Sequence, residues 1–128
     1  MALRANLEAY AYSALRIVTG FLFLFHGLQK LFGMFGGRAV ELLSLRGVVG
    51  VIELVGGTLV MLGMFTSPVA FICSGQMAFA YFISHHPQNV WPIMNRGELA
   101  ALYCFVFLYI AARGAGPLSL DRLLWKRR

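Results

Sequence analysis

Four apolar runs dominate this chain, at about 17–35, 47–65, 68–84 and, most clearly, 99–112. An α-helix needs roughly 20 apolar residues to cross a bilayer. Four such spans use about 80 of the 128 residues. What is left makes two tails and three short loops. A soluble catalytic domain, a dinucleotide fold or a β-barrel with an aqueous lumen does not fit in that remainder. The composition agrees: 12% of residues are charged, against about 25% in a soluble domain.

The formal net charge of +6 would suit nucleic acid if it formed one stripe. It does not; the basic residues flank the apolar runs, as topology signals do. Arg4, Arg16, Arg113, Arg122, Lys126, Arg127 and Arg128 fall on the tail side, and Lys30, Arg38, Arg46 and Arg96 on the other. Seven against four favours cytoplasmic tails. Glu8 and the lack of a small-residue cleavage site argue against a signal peptide. Cys73 and Cys104 lie inside apolar runs and form no CxxC pair, so they read as packing residues that do not pair with each other.

Local signals divide the runs. Residues 1–13 form an amphipathic lead-in. Thr66-Ser67-Pro68 reads as a tight turn with a capping hydroxyl and Pro at a first helical position, so the second and third spans make an antiparallel hairpin. Residues 84–97, with two prolines and Trp91, read as a structured interfacial loop. Gly114, Gly116 and Pro117 stop the fourth span. Residues 117–128 mix leucines, Trp125 and basic residues, the pattern of a short helix on an anionic membrane surface. The expected architecture is an all-α membrane protein: a single domain over 1–128, a four-helix transmembrane bundle with spans at about 15–35, 47–65, 68–84 and 94–113, and both termini cytoplasmic. The fourth span is placed from 94 because residues 99–112 alone cover only about 21 Å of roughly 30 Å of hydrocarbon.

Counting along these spans puts the ionisable groups, Arg16 excepted, in the outer half. His26 and Lys30 are near the outer end of the first span, Glu53 two turns into the second, Gln76 two turns from the end of the third, and His85 and His86 at that end. Asn95, Arg96 and Glu98 lie at the start of the fourth. Helical angles put Arg16, Gly20, Phe23, Gly27 and Lys30 on one face, with His26 on its flank. Gly50, Glu53, Gly56, Gly57 and Val60 share a second face, and small residues suit close helix contacts in a membrane. Glu98, Ala101, Phe105 and Tyr109 share a third. The expectation is a polar outer-half pocket holding His26, Lys30, Glu53, Gln76, His85, Asn95 and Glu98, walled by Phe23, Phe105 and Tyr109.

Each residue also has a plainer reading. Glu53 is either a structural tie to Lys30 or a protonatable carboxylate on a ligand or proton path. Glu98 either lines the pocket or sits in a first turn where the helix dipole favours a carboxylate. His26 is a hydrogen-bonded core residue, a quinone or proton partner, or a metal ligand. A bis-His haem is disfavoured because His26 and His85 differ in depth by roughly 10 Å, and no metal-ligand spacing is diagnostic.

The same polar positions fall in a series: HGLQKLFG at 26–33, GVIELVGG at 50–57, AYFISHHP at 80–87, WPIMNRGELA at 91–100 and GAGPLSLD at 114–121. Over about 15–121 the chain resembles the DoxX family of small four-helix membrane proteins. It departs at Ser67, where many members carry a basic residue before the proline. The resemblance implies an inner (plasma) membrane location and a link to quinone-dependent redox or oxidative-stress complexes. His26, Lys30, Glu53, His85, Asn95 and Glu98 match recurrent polar positions of the family.

The expected function is therefore a redox-associated, quinone-linked membrane subunit with a small-molecule pocket. A small proton-coupled transporter and a structural assembly subunit are the alternatives. The chain has no flavin, dinucleotide or iron–sulfur motif, so no intrinsic cofactor or metal is expected, with quinone as candidate ligand. Candidate partners are the lipid bilayer, a redox-active protein and a second copy of the chain, with no nucleic acid.

Overall fold

The computed structural model describes residues 1–125. The basic triplet Lys126, Arg127 and Arg128, counted above with the tail, lies outside the described residues. Among the described residues all regular structure is helical. The elements are α1 (Ala2–Phe32), α2 (Leu45–Leu62), α3 (Thr66–Gln88), α4 (Pro92–Asn95), α5 (Glu98–Arg113) and α6 (Leu120–Leu124). The first three are long and apolar enough to cross a membrane. The amphipathic lead-in is part of α1, with no break between them.

Glycine spacing fixes how α1 and α2 meet. A Cβ on Gly57 would lie 2.7 Å from the Leu24 backbone nitrogen, and one on Gly27 would lie 2.5 Å from that of Leu54. The two backbones are in contact, which only glycine permits. The inward faces are those the helical angles give: Arg16, Gly20, Phe23 and Gly27 on α1, and Gly50, Glu53, Gly56, Gly57 and Val60 on α2 are buried. A π-helical turn at Ile52–Gly56 widens α2 by part of a turn. Adjacent glycines then serve two neighbours. Gly57 meets α1, while a Cβ on Gly56 would lie 2.6 Å from the Cys73 sulfur of α3.

α3 packs mainly along α5, and the Ser74 hydroxyl donates to the Cys104 carbonyl across that contact at 2.7 Å. The core between the helices is aromatic. Phe23 lies 5.2 Å from Tyr103 and 4.7 Å from Phe107, centroid to centroid.

Three sequence expectations need correction. The fourth long helix begins at Glu98, not near residue 94. Arg96 takes a left-handed conformation (φ 60°) that breaks it from the short α4, and the 16 residues of α5 span about 24 Å. Its buried face is Ala100, Tyr103, Phe107 and Ile110, nearly opposite the face of Phe105 and Tyr109. At the hairpin, the Thr66 hydroxyl caps nothing and has no partner. The start of α3 is instead capped from far along the chain: the Phe65 and Thr66 amides donate to the two Asp121 carboxylate oxygens at 2.8 and 2.9 Å.

Arg16 works beside that cap. It is fully buried and donates to the Val60 and Met61 carbonyls at 3.0 and 3.1 Å, and also to the Leu118 carbonyl. A cation among the last carbonyls of α2 is stabilised by both hydrogen bonds and dipole. Arg16 and Asp121 thus fasten the segment after α5 to the α2–α3 turn. α6 comes next, its first turn capped by the Ser119 hydroxyl at 3.2 Å.

Candidate functional site

At the other end of the bundle the helices diverge around a cavity of about 630 Å³. All four long helices contribute: Phe23, His26 and Lys30 from α1; Arg46, Val49 and Glu53 from α2; Gln76, Met77, Ala80 and His85 from α3; Ala100 and Tyr103 from α5, with Arg96 just ahead of it.

The floor is polar. Glu53 sits in the π-helical turn of α2 and is 3% exposed. Lys30, in the last turn of α1, reaches it at 2.5 Å. The pair exists because α1 and α2 touch through their glycines one to two turns away. His26 sits one turn below Lys30 and meets Tyr103 edge-on, 6.2 Å between centroids. Gln76 is buried, and its side-chain oxygen has no hydrogen-bond partner. An unsatisfied buried amide facing a cavity is open to a ligand or water. The walls are apolar, with Phe23 and Tyr103 on one side and Met77 and Ala80 on another.

The residues expected in the pocket separate into two groups. His26, Lys30, Glu53, Gln76, His85 and Phe23 line the cavity. Asn95, Glu98, Phe105 and Tyr109 do not. Asn95 is fully buried, but it works inside the loop. Its amide donates to the Asn89 carbonyl at 2.9 Å and to the Tyr81 hydroxyl at 3.2 Å, and its side-chain oxygen accepts from the Gly97 amide at 2.7 Å. Glu98 is exposed in the first turn of α5, the dipole-favoured place. Phe105 and Tyr109 are 67% and 52% exposed on the outside of α5. Tyr103 is the aromatic wall instead.

Arg46 and Tyr103 were not expected to line the cavity. Arg46 was legible, since it stands seven residues before Glu53 and so shares its face. Tyr103 was not, because the apolar run of α5 gives no contrast between faces.

A second π-helical turn, Tyr81–His85, lies on α3. Such a turn inserts one residue and re-aims the side chains beyond it. Here the turn carries His85 to the cavity rim, where its Nδ1 lies 3.1 Å from the Asn95 carbonyl. Among the described residues no three His, Cys, Asp or Glu side chains gather as a metal site would require.

Comparison with known proteins adds the family. A sequence model of DoxX matches residues 11–86, which carry most of α1, all of α2 and most of α3. The chain belongs to the DoxX family. It is a membrane protein, and its long apolar helices fit that setting. This DoxX protein is 42% identical to an "Uncharacterized protein" of Haemophilus influenzae, over 95% of this chain and 98% of the relative. It is 31% identical to the "Putative oxidoreductase CatD" of Bacillus subtilis, over 88% of this chain and 85% of that protein. No solved structure matches it.

Proposed function

We propose that this DoxX protein crosses the bacterial inner membrane four times with both termini cytoplasmic, and that it is a redox-associated subunit whose cavity binds a quinone or a similar amphipathic molecule. The observation that carries this reading is the part-buried Lys30–Glu53 pair opening onto an apolar-walled cavity. Lys30 and His26 supply hydrogen bonds for a carbonyl oxygen, and Phe23 and Tyr103 supply faces for a ring. Glu53 is the group placed to exchange a proton with such a ligand. The relative named CatD, whose name describes an oxidoreductase, supports a redox setting.

The chain has no flavin, dinucleotide or iron–sulfur motif, so in this reading a partner protein carries the electrons. The described α5 is shorter than the hydrocarbon core, and local thinning or the polar loop before it accommodates the difference.

The test is the small-molecule content of protein extracted from native membranes in mild detergent, compared between wild type and Glu53→Gln by mass spectrometry. A stoichiometric quinone that the variant loses is the expected result. No small molecule in either, with a protein partner retained in both, would leave Lys30–Glu53 as a helix tie. The reading would then become that of an assembly subunit.

A further inference from the structure

The charges around the cavity do not balance. Lys30, Arg46 and Arg96 line it against one carboxylate, Glu53, and Lys30 is committed to Glu53 at 2.5 Å. The ion pairs among the described residues are Lys30–Glu53 and Glu8–Arg113. Arg46 and Arg96 therefore line the cavity with no ion-pair partner of their own among the described residues. Both are exposed, which places them at its mouth. They come from different parts of the chain: Arg46 from the first turn of α2 and Arg96 from the left-handed residue ahead of α5. A non-glycine residue held at positive φ is uncommon and costs free energy.

Arg46 precedes Glu53 by seven residues within α2, whereas Arg96 is brought to the cavity by the loop just ahead of α5. Seven residues return to the same helix face about 10 Å along the axis. The cavity thus has a cationic mouth and apolar walls. At its floor Gln76 is buried with an unpartnered oxygen.

We propose that this cavity binds an amphipathic oxyanion, with a phosphate or carboxylate head held by Arg46 and Arg96 and its apolar body against the walls formed by Phe23, Met77, Ala80 and Tyr103. The inference rests on the cavity being a ligand site and not on the ligand being a quinone. A guanidinium fork matches either oxyanion with two parallel, charge-assisted hydrogen bonds. A neutral ligand would leave both guanidiniums to solvent and make no use of them in binding. Lipid headgroups and free oxyanions share this chemistry.

The test is titration of the full chain, in an uncharged detergent, with dodecyl phosphate and separately with inorganic phosphate, monitoring the thermal transition and intrinsic tryptophan fluorescence. Saturable dodecyl phosphate binding is expected, weaker by about 10-fold or more when both guanidiniums are lost in Arg46→Gln/Arg96→Gln. Arg38→Gln, exposed and away from the cavity, leaves it unchanged. Inorganic phosphate binding as tightly and competing supports a site for free oxyanions; inorganic phosphate failing to bind supports a lipid-like ligand. Absence of saturable binding of either probe to wild type overturns the proposal, as does equal binding to the double variant. Should the double variant fold poorly, Arg46→Lys/Arg96→Lys keeps the charge and removes the fork, and intermediate binding is expected; wild-type affinity there overturns the fork. A parallel titration with decylubiquinone separates the two readings, because its failure removes the quinone and leaves the anion site standing.

Discussion

Lys30 and Glu53 stand on different helices, and each stabilises the fold only while the other is present. Breaking a fully buried ion pair costs about 3–5 kcal/mol; the Lys30 side chain keeps 22% exposure, so the cost here falls below that range. Lys30→Met alone should lower the melting temperature in detergent clearly, whereas Lys30→Met/Glu53→Met should recover most of the loss. A double variant no better than the single would mean that the pair contributes to more than helix packing. Gln76 predicts the opposite sign. Its buried oxygen is unsatisfied, a penalty of about 1–3 kcal/mol. Gln76→Leu should therefore melt at the same temperature as wild type or higher while losing bound ligand. A loss of stability would show that the amide is satisfied by an internal water.

At the scale of the helices, contact between α1 and α2 is governed by where a methyl group fits. A Cβ on Gly57 overlaps the Leu24 backbone, whereas one on Gly75 meets nothing within 4 Å. Gly57→Ala should sharply reduce the yield of folded protein. Gly75→Ala should be neutral or gain about 0.5–1 kcal/mol from the lower backbone entropy. Circular dichroism melts of the two side by side decide it. The same glycines explain what could be read from the sequence. On α1 and α2, glycines spaced with Arg16, Lys30 and Glu53 mark the inward face, and the structure turns those residues inward. On α5 every side chain from Leu99 to Ala112 is apolar or aromatic, so periodicity has no contrast. Glu98 was the available anchor, and it misleads because the left-handed Arg96 starts the helix there and turns Glu98 outward. That rotation exchanged Phe105 and Tyr109 for Tyr103. The cap on α3 was equally illegible, since nothing in Thr66-Ser67-Pro68 reports an aspartate 55 residues away.

For the whole molecule, large apolar side chains such as Phe21, Leu22, Phe71, Ile72, Leu102 and Phe105 point outward on three different helices. Such a belt is stable against lipid and unstable in water. The four-span arrangement makes a definite demand on sidedness. In a background with Cys73 and Cys104 replaced by Ala, single cysteines at Arg38 and Trp91 should react with a membrane-impermeant maleimide in intact cells. Cysteines at Arg4 and Arg122 should react only after the membrane is opened. Labelling of all four in intact cells would remove the proposed topology.

The Asp121 cap also sets an order of events. The first turn of α3 lacks its carboxylate until residue 121 has been synthesised, 55 residues after Thr66. Arg16 has to wait longer still, 102 residues, for the Leu118 carbonyl. During translation the α2–α3 hairpin therefore resides in the membrane with one end unlatched, within reach of membrane proteases. A nascent chain arrested at residue 117 should be degraded faster than one arrested well past 121. The clasp ties the α2–α3 turn to the arrival of residues 118 and 121.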